Sequence, residues 1–300
     1  MAADPTTAEL ATAEPTTAVP AAVASTVWSP ARRADWIRAF HPSPEAPVRL
    51  VCLPHAGGSA GFFFPLSRML APAVEVLAVQ YPGRQDRRAE PVVRDLHVLA
   101  DLVCEALADV PGLGRPVLFG HSMGASLAFE VARRMEAAGG PAPRLLIASA
   151  RRAPSVPTPS AVHRMDDAGI VAELKRLSGT AGALFADPEM LRAALPAVRG
   201  DYAAIETYTC VPQAAVRCPV EVFHAGADPL TDRAHALAWR GHTTAGFALR
   251  EFRGGHFYLE TWPQDVVAAV RAAVAAAAGP AASGAAGASA ASGATRDIRP

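Results

Sequence analysis

Six short apolar runs punctuate the chain: Val48–Leu53, Val74–Gln80, Pro116–Gly120, Leu145–Ala150, Pro219–Ala225 and Ala248–Phe252. Polar residues are few within them, and no strict in–out alternation is kept. Strands of that kind are buried on both faces. Between them lie stretches with apolar residues at helical spacing, which predict helices over Leu96–Ala108, Met123–Ala138 and Gln264–Ala275. Strands alternating with helices predict an α/β fold, with a mostly parallel central sheet and helices on both faces.

Residues 154–212 break this rhythm. They carry two helical patterns, Asp166–Ser178 and Pro188–Tyr208, and no strand pattern, with Leu191, Leu195, Val198, Tyr202 and Ile205 on one helical face. One helix would suffice for a crossover connection, so an insertion of this size predicts a lid over a site. At the ends the pattern fades. Residues 1–27 are rich in Ala, Thr and Pro, and residues 275–300 in Ala, Gly and Ser, so both are expected to be disordered tails around a folded unit at 28–274.

Composition narrows the function. The 300 residues carry 28 Lys and Arg against 28 Asp and Glu, a net charge of zero. Nucleic acid or an anionic membrane would ask for a basic face, so neither is an expected partner. The uncharged stretch from Ala272 to Thr295 is mostly Ala, Gly and Ser and is broken by Pro280, which argues against a membrane span. The N-terminus lacks the basic and apolar regions of a signal peptide. Cys52, Cys104, Cys210 and Cys218 have no CxxC spacing, so a cytoplasmic protein with neither disulfide framework nor zinc is expected.

The chemistry centres on Gly120-His121-Ser122-Met123-Gly124, a G-x-S-x-G that follows a predicted strand and opens a predicted helix. In that context the serine sits on a sharp turn, above the sheet, where the helix aims its free N–H groups. A serine nucleophile needs a base and an orienting acid, in the chain order Ser, acid, His. His256, in Gly254-Gly255-His256-Phe257 directly after the sixth run, suits the base better than His224, His235 or His242, which lie within or before the last strands. After the fourth run the chain reads Ser149-Ala150-Arg151-Arg152, with no acid, whereas after the fifth it reads Gly226-Ala227-Asp228-Pro229. Asp228 is therefore the acid, with Asp232 the alternative and a helix-start residue otherwise. An oxyanion hole would take the N–H of Met123 and a second N–H from Ala56, in the loop Pro54-His55-Ala56-Gly57-Gly58.

Further motifs occur in order: Cys52-Leu53-Pro54-His55-Ala56-Gly57-Gly58-Ser59-Ala60, Val79-Gln80-Tyr81-Pro82-Gly83-Arg84, Arg176-Leu177-Ser178-Gly179-Thr180, and Asp201-Tyr202 with Glu206-Thr207-Tyr208. With the elbow and the Gly-Gly-His-Phe segment, they make the chain from Trp36 to Glu260 resemble the type II thioesterases. These are the discrete editing hydrolases of polyketide synthases and nonribosomal peptide synthetases. The resemblance implies an α/β-hydrolase fold and a triad of Ser122, Asp228 and His256. It implies oxyanion donors at Ala56 and Met123, a mobile lid near 154–212, and neither metal nor cofactor. The implied reaction is hydrolysis of stalled or aberrant acyl groups from the phosphopantetheine arms of acyl or peptidyl carrier proteins, through an acyl-serine.

A triad alone also fits a general carboxylesterase or lipase, and a chain-terminating thioesterase shares the fold. The latter is usually fused after a carrier domain, and no carrier-like segment is evident. A non-catalytic interaction protein would have no use for the full constellation. Phe62, Phe63 and Phe64 fit either an acyl channel or, equally well, ordinary core packing. Carrier proteins of this kind are generally acidic, so Arg84, Arg87 and Arg88, or Arg151 and Arg152, are expected to give a positive docking face, unless pairing with Asp86, Glu90 and other acids absorbs them.

Overall fold

The computed structural model describes residues 35–108, 110–140, 142–157, 159–178, 187–261 and 263–278. Among them seven strands form one sheet: β1 (Ile37–Arg38), β2 (Arg49–Leu53), β3 (Glu75–Val79), β4 (Val117–His121), β5 (Leu145–Ser149), β6 (Val220–Ala225) and β7 (Phe247–Phe252). The spatial order is β1-β3-β2-β4-β5-β6-β7, parallel throughout except for β1, which pairs antiparallel with β3 through Ile37↔Val79 and Arg38↔Ala78. All six apolar runs are strands. The two-residue β1 was not legible, because two residues have no period.

Helices cover both faces. They are α1 (Phe64–Leu70), α2 (Leu96–Ala108), α3 (Met123–Ala137), α4 (Asp167–Ser178), α5 (Pro188–Glu206), α6 (Arg233–Leu237), α7 (Tyr258–Thr261) and α8 (Pro263–Ala278). The closing helix extends through Ala278, so residues 275–278 belong to it and not to the tail expected from 275. Alanine is the best helix former, and the run stops where Gly279 and Pro280 follow. The two tails otherwise lie outside the described residues.

The continuous apolar strands now have their reason. Within β2, Val51 and Leu53 join one core with α2 and α3, while Leu50 and Cys52 join another with α1 and α8. The same division runs through β3, β4 and β5: Leu118 faces the first core, Val117 and Phe119 the second. A strand whose two faces both meet helices cannot use a polar face. Phe129 of α3 lies edge-on to Trp239 at 5.7 Å, both fully buried. Burying such a side chain contributes about 1.5–3 kcal/mol.

The insertion supplies α4 and α5 and has a small core of its own. Val162, Ile170, Leu195 and Val198 are buried in it, with Val171, Leu174 and Tyr202 packed alongside. It sits over the C-terminal edge of the sheet, where α/β folds place their sites.

Candidate active site

Ser122 stands between β4 and α3 with φ 54° and ψ −121°. That is strained backbone for an L-residue, worth roughly 1–3 kcal/mol. Its own N–H donates to the Ser149 carbonyl at 2.8 Å, which pins the turn to β5. The flanking glycines are obligatory. A Cβ on Gly120 would lie 2.1 Å from the Gly124 oxygen, and one on Gly124 would lie 2.0 Å from the Leu53 oxygen. The strand, the turn and the helix can close on one another only through those two positions.

Asp228 and His256 come together through the sheet ladder. The β6–β7 pairing ends at Ala225↔Phe252 and then continues into both loops. Gly226 N–H donates to Phe252 O, and Ala227 N–H to Gly254 O, both at 3.0 Å. The two loops therefore leave the sheet in register. His256 Nδ1 lies 2.9 and 3.0 Å from the Asp228 carboxylate oxygens, and His256 Nε2 lies 2.9 Å from Ser122 Oγ. Both His256 and Asp228 are buried. Leu230 N–H also donates to Asp228 Oδ1 at 2.9 Å, which fixes the carboxylate plane.

The alternatives are engaged elsewhere. Asp232 is exposed and caps α6, accepting from His235 N–H at 2.7 Å, with His235 completing a capping box. His242 is buried between the Ala214 carbonyl and Ser155 Oγ, each at 2.8 Å. His224 is buried within β6.

Met123 is the first residue of α3, so its N–H has no acceptor within the helix. Ala56 lies in the loop after β2, and both residues line, with Ser122, a cavity of ≈ 460 Å³. The insertion contributes Val162, Tyr202, Ile205 and Glu206 to its wall. Among the described residues no group of three His, Cys, Asp or Glu side chains is arranged to hold a metal ion. No helix among them is long and apolar enough to cross a membrane.

Two histidines beside His256 were not singled out by sequence. His121 lies 5.4 Å from His256 between ring centroids, and His55 lies 6.0 Å from His121. His121 Nδ1 meets Ser149 Oγ at 2.9 Å, which meets the Tyr258 hydroxyl at 2.7 Å. Burial, then the charge of His256 and Arg84, lowers the His55 pKa to about 3, and burial holds His121 well below the ordinary histidine range. Both are neutral at physiological pH, so neither opposes a positive charge on His256. Their place inside the HAGG and GHSMG motifs was the available signal.

The structure decides between two pairs of alternatives. Phe62 and Phe63 do not line the cavity at Ser122. They line a separate one of ≈ 460 Å³ with Leu66, Met69, Leu259 and Val266, while Phe62 stacks on His121 at 5.6 Å. Phe64 is 43% exposed. Nor do Arg84 and Arg87 form a docking face. Arg84 is buried against Asp201. Arg87 is buried over the Trp36 ring at 4.3 Å, with Glu90 at 2.6 Å. Arg88 alone of that cluster is exposed. Arg151 and Arg152 do reach the Ser122 cavity, but the Arg152 guanidinium is held by the carbonyls of Pro157 and Leu230 at 2.8 and 2.6 Å.

Residues 48–274 match the thioesterase domain family. A probable cadicidin biosynthesis thioesterase of Streptomyces griseus is 56% identical over 227 residues, covering 75% of this chain and 62% of that protein. This chain thus spans under two thirds of that relative's length. Thioesterase PikA5 of Streptomyces venezuelae is 51% identical over 75% of this chain and 80% of its own. Among solved structures, the type II thioesterase BorB from the borrelidin biosynthetic cluster superposes with a TM-score of 0.74 at 48% identity, covering 79% of this chain and 96% of its own. A seven-stranded, mostly parallel sheet with a serine elbow at its C-terminal edge, together with a family match over residues 48–274, makes this chain a member of the thioesterase family on the α/β-hydrolase fold.

Proposed function

We propose that this chain is a serine thioesterase that clears stalled or aberrant acyl groups from the phosphopantetheine arms of carrier proteins in polyketide or nonribosomal peptide assembly. The observation that carries the reading is the hydrogen-bonded line from Asp228 through His256 to Ser122, opening on a cavity of ≈ 460 Å³. Family membership and the biosynthetic pathways named for the relatives favour a thioester over an oxyester.

In this mechanism His256 Nε2 takes the proton of Ser122 Oγ as that oxygen attacks the thioester carbonyl. The N–H groups of Ala56 and Met123 hold the oxyanion. The carbon–sulfur bond breaks, and the pantetheine thiol leaves with the proton from His256. Water then attacks the acyl-serine, giving its proton to His256. Ser122 recovers the proton as the free acid departs. Asp228 holds the imidazole in the tautomer whose Nε2 faces the serine, and stabilises the imidazolium. The insertion acts as a lid that closes the cavity over an acyl group carried in on a thin arm.

The test compares kcat/KM for one acyl group presented on a carrier protein and as a simple oxyester. Preference for the carrier thioester, with free acid as product, supports the reading. Equal or better turnover of the oxyester replaces it with a general carboxylesterase. A cyclised product replaces it with a chain-terminating thioesterase.

A further inference from the structure

Two motifs remain unused by the mechanism: the segment from Gln80 to Arg84 after β3, and Asp201 in α5. They meet on the oxyanion loop. Asp201 accepts from the Gly57 N–H at 2.7 Å and from both terminal nitrogens of Arg84 at 2.5 and 2.9 Å. Arg84 also donates to the carbonyls of Gly58 and Pro82, each at 3.2 Å. The Tyr81 hydroxyl donates to Pro54 O at 3.1 Å, and Gln80 Oε1 accepts from Ala60 N–H at 2.8 Å. Asp201 is 1% exposed and Arg84 7%.

We infer that Asp201 is a positioning residue for the oxyanion hole, so that α5 is part of the catalytic apparatus and the hole is set only while α5 is seated. The inference rests on the mechanism proposed above. Anchoring the Gly57 N–H fixes the peptide plane between Ala56 and Gly57. The 2.9 Å bond from Gly58 N–H to His55 O closes the other side of the turn. The Ala56 amide lies between these two constraints. Asp201 can reach Gly57 because the helix and loop touch. Gly57 has φ +76°, and a Cβ there would lie 2.6 Å from Val198 Cγ2. Val198 and Asp201 are i and i+3 on α5, so one face of the helix grips Gly57 twice.

Stability alone does not account for the arrangement. A buried ion pair is often replaceable by apolar residues at no cost in stability. Here the carboxylate is also spent on a backbone N–H of the loop. The adjacent face of α5 presents Tyr202, Ile205 and Glu206 to the cavity. An acyl group that seats α5 well sets the loop, and one that pushes it outward releases Gly57. Selectivity among acyl groups then falls on kcat more than on KM.

The test uses the full chain and an acyl-pantetheine thioester. Arg84→Met with Asp201→Leu removes both charges and the loop acceptor, leaving no unpaired buried charge. Asp201→Asn keeps a carbonyl oxygen that can accept from Gly57. The double variant is expected to lose about 10²-fold in kcat, the scale of a misplaced catalytic group, with KM within about threefold and the pH profile retained. Its affinity for a trifluoromethyl ketone analogue should fall by the same factor as kcat/KM. Asp201→Asn should recover most of both losses. A folded double variant with native kcat, a rise confined to KM, or an unchanged analogue affinity would each overturn the inference. Should the double variant not fold, Arg84→Gln with Asp201→Val, which likewise removes the acceptor for the Gly57 N–H, takes its place: kcat and analogue affinity falling together uphold the inference, and neither falling removes it. Ser122→Ala, run in parallel, reads the nucleophile separately, so failure of the active-site reading is distinguishable from failure of this one.

Discussion

The sheet edge and the insertion above it contribute to one site with different materials. At the edge, β4 is buried along its whole length, and its turn closes on contacts that would overlap if either flanking glycine carried a Cβ. In the insertion, α4 buries only Ile170 and Leu177 deeply, and the start of α5 leaves Met190 55% exposed. The difference continues within α5. Before the exposed Pro196 little is buried except Leu195; after it Ala197, Val198, Gly200, Asp201, Ala204 and Ile205 are. The serine turn sits where burial and close backbone contacts leave no space for a side chain at either flanking position. On the proposed reading, accommodation of variable acyl groups falls to the insertion, which has its own small core and is buried at one end of α5.

Ser122→Ala is expected to draw the sharpest line between the two regions. It should lower kcat by about 10⁶-fold, because a triad acts as a unit. Mass spectrometry after a serine-directed fluorophosphonate should show one adduct on the native chain and none on the variant. An adduct surviving in the variant would put the nucleophile elsewhere. Asp228→Asn comes next, with a loss of about 10⁴-fold from misoriented imidazole. Asp232→Asn, which removes only charge from an N-cap, should leave kcat near native in the same assay; reversed effects would exchange the two assignments.

Acid should loosen the sheet edge through His55. Its folded pKa of about 3 lies below the 6.5 it takes from water. Between those values the unfolded chain binds the extra proton. Stability is therefore complete above about pH 6.5 and falls as pH is lowered, by on the order of 1 kcal/mol per unit for this group. Urea unfolding of the native chain from pH 7.5 to 5 should show a steeper loss than His55→Phe, and equal slopes would reject the assignment.

A smaller contrast concerns motion. Amide exchange in α4 should be faster than in β4, while residues 198–206 of α5 should approach the sheet in protection. Uniform protection would make the insertion a fixed cap, and fast exchange throughout α5 would undo its division at Pro196. The slightest effect expected is at Arg88, whose exposed side chain should tolerate Arg88→Glu within about 0.5 kcal/mol. Arg87→Glu should cost more, because Arg87 is buried between Trp36 and Glu90. Thermal melts of the two variants would read the difference directly.

Much of this architecture is local in origin. Near-continuous Val, Leu and Ile runs marked six strands, since a strand covered on both faces has no polar side to show. Gly120 and Gly124 marked the elbow, because only glycine admits backbone that close. Gly254-Gly255 marked the turn carrying His256. Asp228 followed from chain order and the end of a strand. Tertiary structure decided what distant charges do. Arg84 and Arg87 look like a solvated basic cluster in one dimension. Arg84 is neutralised by Asp201, 117 residues away, and Arg87 lies under Trp36, far off in sequence. Phe62 and Phe63 have the composition of an acyl channel, yet packing set Phe62 against His55 and His121 and Phe63 against Phe119, along a cavity separate from that at Ser122. Backbone geometry and burial period are written in adjacent residues. The partner of a buried charge, and the cavity a ring lines, depend on which segments the fold brings together.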